Sequence, residues 1–140
     1  MPFIGAKAAF FCHDQILCYL RDDHAGLAWA GHWDLPGGGR EAGESPQSCL
    51  LRELEEEFGL RFAPDRLTTA LRLPSMQGGP EYAWFFAGRI TPDDIAAIRF
   101  GDEGQYWQMM PVAEFLNHPQ GIAPLQARVA RVWPDYAPKS

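Results

Sequence analysis

The chain has few cysteines, no long hydrophobic run and no excess of basic residues. Its three cysteines, Cys12, Cys18 and Cys49, form no Cys-x-x-Cys pair, so we expect reduced thiols and no disulfide framework. No stretch approaches about 18 uninterrupted apolar residues, which argues against a transmembrane helix, and the N-terminus lacks the layout of a signal peptide. We therefore expect a cytoplasmic protein without membrane attachment.

Acidic residues outnumber basic residues by 18 to 12, and the formal net charge is −6. A general surface for a nucleic-acid polymer requires a basic patch, so this balance argues against such a partner. It leaves room for a small anionic substrate, because a metal ion and a few arginines can supply local positive charge. The arginines that could do so are Arg21, Arg40, Arg52 and Arg72.

The length of 140 residues predicts a single domain over residues 1–140, large enough to bury a core. Strands are predicted by β-favouring apolar runs at residues 4–11, 15–20, 67–73, 82–90 and 105–110. Helices are predicted by capping residues and helical apolar spacing at residues 46–58, from 91, at 111–117 and at 122–132. Strands interleaved with helices indicate a layered α/β domain, which we expect to be a monomer or a homodimer.

The strongest functional signal begins at a run of three glycines. Residues Gly37–Gly39 follow Pro36, so we expect the chain to bend there and its backbone to come close to a ligand. Ser45 is a good N-cap for a helix over Pro46–Phe58, and Gly59 is a plausible stop for that helix.

The spacing of the glutamates along this helix indicates which of them share a side. At about 100° per residue, Glu53, Glu56 and Glu57 share one stripe, whereas Glu55 faces water. Three carboxylates on one stripe repel one another, and a hard divalent cation such as Mg²⁺ removes that repulsion. A solvated acidic face is the usual explanation of a glutamate run, but the preceding glycines favour a metal site. The apolar face predicted to pack on the core consists of Leu50, Leu51, Leu54 and Phe58.

Residues 38–60 also satisfy the pattern G-x5-E-x7-R-E-U-x-E-E-x-G-U, with U apolar, at every defined position. The matching residues are Gly38, Glu44, Arg52, Glu53, Leu54, Glu56, Glu57, Gly59 and Leu60. This pattern is the Nudix box, so the chain resembles a Nudix hydrolase. The resemblance implies the Nudix fold, a mixed β-sheet between helices (α/β/α), and hydrolysis of a diphosphate linkage in a small nucleotide-type substrate.

The resemblance also implies roles for residues of the box. Mg²⁺, replaceable by Mn²⁺, would be the cofactor, and it would neutralise phosphate charge as water attacks phosphorus in line with its leaving group. Arg52 would orient Glu53, and Glu44 would hold that arrangement in place. The metal ligands would be Glu53, Glu56, Glu57 and the backbone carbonyl of Gly37.

Residues outside the box complete the expected site. Some family members use a further glutamate, and we favour Glu103, in a glycine-flanked loop, over Glu81, which precedes a predicted strand. A solvated loop acid is an equal alternative for Glu103. The expected substrate contacts are Arg21, Arg40 and the backbone of Gly38.

Four aromatic residues could stack on a base, although alternating aromatics in a strand more often belong to the core. They are Tyr82, Trp84, Phe85 and Trp107.

The box does not identify the substrate. A compact chain of this type favours a nucleoside triphosphate or derivative, giving a monophosphate and pyrophosphate. ADP-ribose or another nucleotide sugar is the first alternative, because Pro74 follows the box at nearly the spacing found in ADP-ribose hydrolases of the family. A non-catalytic, nucleotide-binding regulatory domain and an isomerase or lyase of an isoprenoid diphosphate are the others.

Overall fold

The computed structural model describes residues 2–139, and within that range the chain forms seven strands and four α-helices. The strands are β1 (Gly5–Cys12), β2 (Gln15–Leu20), β3 (Trp33–Asp34), β4 (Gly37–Gly39), β5 (Thr69–Pro74), β6 (Tyr82–Arg89) and β7 (Tyr106–Pro111). The helices are α1 (Pro46–Phe58), α2 (Pro92–Ala96), α3 (Val112–Asn117) and α4 (Ala123–Val132). The predicted order of elements is present, with strand ends shifted by one or two residues.

The strands form one mixed sheet. Its main path runs β3-β2-β1-β6-β5, while β4 pairs with β1 and β7 pairs with β2. Strands β1 and β6 are parallel, and the other pairs are antiparallel. Strands β1 and β2 form an antiparallel hairpin. Strand β1 therefore lies at the centre of the sheet, with β4 against its N-terminal half.

Both faces of the sheet are covered by helices. Along β1, Ala8 and Phe10 point into a core shared with α1, and Ala9 and Phe11 point into a second core shared with α3 and α4. This alternation follows from the two-residue period of a strand. The fold is therefore the α/β/α sandwich that the sequence predicted.

The glycine run differs from its prediction. Instead of a simple bend, it forms the short strand β4, in which Gly37 pairs with Lys7 of β1. Gly37 has a φ of 128°, and a Cβ built on it would lie 2.0 Å from the carbonyl oxygen of Ala6. Only glycine can take that conformation so close to β1, and the run is therefore needed for pairing as well as for approach to a ligand.

The cysteines are free thiols, of which Cys18 and Cys49 are buried and Cys12 is partly buried. No helix within residues 2–139 is long and apolar enough to cross a bilayer.

Candidate active site

Helix α1 is fixed by its two ends and by its apolar face. The Ser45 side chain accepts a hydrogen bond from the Ser48 N–H at 3.1 Å, and Gly59 ends the helix with a φ of 68°. Leu51, which the sequence placed on the apolar face, is only partly buried. The helix is held against the sheet by the buried side chains of Cys49, Leu50, Leu54 and Phe58.

The glutamates of α1 point in different directions and have different surroundings. For Glu55, the helical spacing predicted exposure to water. That residue is exposed and forms an ion pair with Arg61. Glu57 is only 6% exposed. Glu56 lies near the surface, with its side chain 56% exposed. Glu57 is therefore the one of these three carboxylates that has lost most of its hydration.

Arg52 donates hydrogen bonds to three carboxylates and one backbone carbonyl, and it forms a longer ion pair with Glu41 at 3.5 Å. Its Nε and Nη2 donate to the two oxygens of Glu44 at 2.7 and 3.1 Å. Its Nη1 donates to Glu53 at 2.9 Å and to Glu56 at 3.1 Å, and Nη2 also donates to the carbonyl oxygen of Gly39 at 2.9 Å. We call these residues the Arg52 cluster. Arg52 thus contacts Glu53 and Glu44, the two residues with which the resemblance to the Nudix family associates it.

Charges in the Arg52 cluster shift the pKa of its members in opposite directions. The hydrogen bond from Arg52 lowers the pKa of Glu44, and hydrogen bonding to Glu44 raises the pKa of the Arg52 guanidinium. Burial raises the pKa of Glu53, against the opposing effect of Arg52. The charged form of Glu44 is thus already stabilised by Arg52. The charged form of Glu53 would be stabilised by a further cation.

Glu53 and Glu57 both reach the glycine strand β4. Glu57 Oε1 accepts a hydrogen bond from the Gly37 N–H at 2.9 Å. The Glu53 carboxylate occupies the space beside Gly38, where an added Cβ would lie 2.6 Å from its Cδ. Any side chain at residue 38 would displace Glu53, so the glycine strand and the two carboxylates form one compact group.

A buried polar network, which sequence reasoning missed, lies next to this group. The Tyr19 hydroxyl lies 3.1 Å from Asp34 Oδ2 and 3.4 Å from Glu57 Oε2. Lys7 and Arg21 form ion pairs with Asp34 at 3.1 and 3.0 Å. We call Lys7, Tyr19, Arg21 and Asp34 the Asp34 network. The available signal was a lone lysine in an apolar strand, because a buried charge requires a partner.

Burial raises the pKa of Glu57 to about 8, even though Lys7 and the Gly37 N–H lower it. Such a group keeps its proton near neutral pH unless a cation approaches. Glu57 is therefore the carboxylate whose charged form a bound metal ion would stabilise most.

The donor atoms at the glycine strand suit a hard divalent cation. Glu53, Glu57 and the Gly37 carbonyl offer the oxygen ligands that Mg²⁺ prefers. They do not form a closed cage, since no three His, Cys, Asp or Glu side chains of residues 2–139 are grouped so that they could hold a metal. Glu56 is held by Arg52, and Lys7 Nζ donates to the Gly37 carbonyl at 3.0 Å. The donor chemistry fits, but the predicted ligand set would have to move together to bind an ion.

A cavity of about 260 Å³ opens beside the glycine strand. We call it the glycine-strand cavity. Of the predicted substrate contacts, Arg21 and Gly38 line it, although the Arg21 charge is already paired with Asp34. Arg40 is not among the residues that line it: its side chain is exposed, donates to the Glu44 carbonyl at 3.1 Å and lies over the ring of Phe3.

The aromatic residues suggested for base stacking lie elsewhere. Phe85 is buried in the core, Trp84 stacks on Phe86, and Tyr82 lies under the Arg72 guanidinium. Trp107 packs against the core beside α1. The aromatic residue that lines the glycine-strand cavity is Trp29, which is 40% exposed and which the sequence gave no reason to select.

The two glutamates considered outside the box lie on different surfaces. Glu103 is exposed and lines a separate depression together with Tyr19 and Arg21 of the Asp34 network. Glu81 is also exposed and lines a depression beside Phe3. Glu103 is thus the one that shares a surface with residues next to Glu57.

The sheet, helix α1 and the glycine strand β4 together define a Nudix-type α/β/α domain. Residues 10–132 match the family model of the NUDIX domain. The chain therefore belongs to the Nudix family.

Two named relatives are similar to this chain in sequence. A putative 8-oxo-dGTP diphosphatase 2 of Mycobacterium tuberculosis is 56% identical over 34 residues, which are 24% of this chain and 24% of that relative, so the match spans about a quarter of the relative's length. An RNA pyrophosphohydrolase of Erythrobacter litoralis is 31% identical over 121 residues, 72% of this chain and 70% of the relative.

A solved structure of a bifunctional NMN adenylyltransferase/ADP ribose pyrophosphatase from Francisella tularensis, complexed with AMP and a Mn ion, has the same fold. Its TM-score is 0.71 at 17% identity, over 96% of this chain and 42% of that chain.

Proposed function

We propose that this protein is a metal-dependent pyrophosphohydrolase that cleaves a nucleoside triphosphate, or a derivative of one, into a monophosphate and pyrophosphate. The observation that carries the proposal is the meeting of Glu53 and Glu57 at the glycine strand. That strand also lines the glycine-strand cavity, so phosphates held at Gly38 would leave the nucleoside room to enter the cavity. Membership of the Nudix family supports the same class of reaction.

Each part of the site has a task in such a reaction. A divalent cation, held by Glu53, Glu56, Glu57 and the Gly37 carbonyl, would supply neutralisation of phosphate charge during attack by water. Arg52, which is itself held by Glu44, keeps the Glu53 carboxylate in place. The missing side chain at Gly38 leaves the backbone open to the diphosphate.

Two further groups support this arrangement. The Asp34 network holds the Glu57 side chain by way of the Tyr19 hydroxyl. We place Glu103 as the acid outside the box, because its loop lies beside Tyr19 and Arg21.

A second candidate substrate is the 5′-phosphorylated end of RNA, because the Erythrobacter relative is named an RNA pyrophosphohydrolase. The net charge of −6 counts against a long nucleic-acid contact. ADP-ribose is a third candidate, supported by the name of the Francisella protein.

A substrate screen tests the proposal. Nucleoside triphosphates, ADP-ribose and a triphosphorylated RNA oligonucleotide would each be incubated with Mg²⁺, with separate detection of phosphate and pyrophosphate. We expect pyrophosphate from a triphosphate, loss of turnover on chelation and recovery with Mg²⁺ or Mn²⁺. Turnover that survives exhaustive chelation would contradict the metal dependence, and nucleotide binding without any turnover would indicate a regulatory domain.

A further inference from the structure

Arg128, on the inward face of α4, is a buried arginine without an acidic partner. It is 9% exposed, and α4 buries Leu125, Val129 and Val132 alongside it. Its one hydrogen bond within residues 2–139 runs from Nη2 to the Pro74 carbonyl at 2.6 Å. Burial lowers the pKa of Arg128 because its charge has left water, and no carboxylate of the described chain forms an ion pair with it.

Two donor nitrogens of Arg128 are unused within residues 2–139 and are not fully buried. Nε and Nη1 of Arg128 make no hydrogen bond within the described chain, yet residues 2–139 contain no solvent-inaccessible side-chain nitrogen or oxygen that lacks a partner. These two nitrogens are therefore reached by solvent. Arg128 lines the glycine-strand cavity, so that cavity is where its free donors can meet a ligand.

The rest of the cavity wall is suited to a flat, mostly apolar group. Gly38 lines the same cavity, so one ligand can extend from the glycine strand to Arg128. The apolar and aromatic residues that line the cavity include Ile4, Trp29, Met76, Ala83 and Ile122. Polar side chains line it as well, but Lys7 and Arg21 are already paired with Asp34, and Ser75 and Gln77 carry no charge. A nucleobase meets this description better than a second phosphate, which would require several further donors.

Arg21 shows what a paired arginine looks like in the same cavity. Its Nη1 is held by Asp34 at 3.0 Å and its Nε by the Ala28 carbonyl at 3.0 Å. Arg128 has no such carboxylate. Of these two arginines, Arg128 is therefore the one whose charge is available to a ligand.

We propose that Arg128 is the specificity-determining residue of the glycine-strand cavity. It selects a purine that presents two adjacent acceptors, the O6 and N7 edge of guanine or hypoxanthine. The two bonds would come from the second N–H of Nη2 together with Nε or Nη1, because those pairs share an edge of the guanidinium. Arginine is the usual partner of that edge of guanine, whereas adenine offers one acceptor and one donor there, so its amino group would oppose the guanidinium. This inference rests on the proposed function, because it takes the diphosphate to lie at the glycine strand.

Direct binding of nucleoside monophosphates in the presence of Mg²⁺ tests the inference. By calorimetry, we expect the wild-type protein to bind GMP and IMP about tenfold more tightly than AMP. 7-Deaza-GMP, which lacks N7, should bind about as weakly as AMP. This comparison needs no variant, so it holds even if a substitution at Arg128 impairs folding.

The variants Arg128→Gln and Arg128→Lys extend the test. We expect Arg128→Gln to abolish the preference for GMP over AMP, with AMP affinity unchanged within about twofold, and Arg128→Lys to keep part of it. Arg131→Gln, on the exposed side of the same helix, should keep the full preference. With a hydrolysed triphosphate, Arg128→Gln should raise KM for GTP about tenfold and leave kcat nearly unchanged.

Three results would overturn the inference. They are equal wild-type affinity for GMP and AMP, an equal loss for both nucleotides in Arg128→Gln, or tighter binding of adenosine 2′,5′-bisphosphate than of GMP. Failure of the proposed reaction is a separate outcome, since it would appear as absent turnover while the guanine preference in binding persisted.

Discussion

Among the arginines at the candidate active site, Arg52 and Arg128 have opposite surroundings. Arg52 donates hydrogen bonds to three carboxylates and to the Gly39 carbonyl, and its side chain is 23% exposed. Arg128 is more deeply buried and contacts one carbonyl. An arginine whose donors are used by the protein holds other residues in place, whereas one left with free donors in a cavity is available to a ligand. The Arg52 cluster therefore builds the site, and Arg128 is available to select what enters it.

The largest expected effect comes from two glutamates of helix α1, Glu56 and Glu57. We expect Glu57→Gln and Glu56→Gln to lower kcat by at least about 100-fold, as loss of a major electrostatic stabiliser does. Glu55→Gln is the matched control, because Glu55 lies on the solvent side of the same helix turn, and its kcat should stay within about twofold. Equal losses at Glu55 and Glu57, measured by steady-state kinetics, would show that burial in the site is irrelevant to activity.

A smaller effect should separate the two arginines in thermal stability. Arg52→Met leaves the carboxylates of Glu44, Glu53 and Glu56 without their shared cation, so we expect the melting temperature to fall by about 4 °C or more. Arg128→Met removes a buried charge that has no acidic partner, so the melting temperature should stay level or rise.

Melting curves of these variants at one pH, in the presence of a chelator, test this contrast. Arg131→Met serves as the surface control. If Arg128→Met were as destabilising as Arg52→Met, Arg128 would be a structural residue and the distinction drawn above would fail.

The smallest effect concerns the pH dependence of stability without metal. The folded-state pKa of Glu57 is raised to about 8 by burial, so the folded protein holds this proton more tightly than the unfolded chain. The stability contributed by Glu57 is thus greatest below its ordinary pKa and is lost as pH rises towards 8, by at most about 1.4 kcal/mol per pH unit.

Glu57→Gln should therefore flatten the decline in melting temperature between about pH 5.5 and pH 7.5 in chelator. Glu44→Gln is the contrasting control. Arg52 lowers the pKa of Glu44, so stability from Glu44 is present above its ordinary pKa and is lost only as pH falls through the lowered value. A slope in Glu57→Gln identical to that of the wild-type protein would show that Glu57 is not the titrating group.

Local sequence patterns accounted for much of the fold. The bounds of α1 follow from Ser45, Pro46 and Gly59, and its rotation follows from the spacing of Leu50, Leu54 and Phe58. These are interactions between near neighbours along the chain, so the sequence displays them directly. The resemblance to the Nudix box implied that Glu44, Arg52 and Glu53 act together, and the structure brings them into contact.

Long-range contacts decided what the sequence could not. Lys7, Tyr19 and Asp34 are in contact because β1, β2 and β3 pair in the sheet. Their spacing along the chain does not predict that contact. The same holds for base-stacking candidates: Phe85 turned into the core, and Trp29 came to line the cavity. The pairing of the strands determines which face of a strand is buried, whereas the sequence shows only that residues on the two faces alternate.

By itself, the sequence determined the family, the helix that carries the carboxylates and the oxygen-donor chemistry suited to a hard cation. Only the tertiary structure decided that Glu57 is buried against the Asp34 network, that Arg40 lies outside the cavity and that Arg128 lies within it. The physical reason is that hydration and charge pairing depend on which distant segments pack together. A residue's type and spacing fix its chemistry, but its burial and its partners arise only on folding.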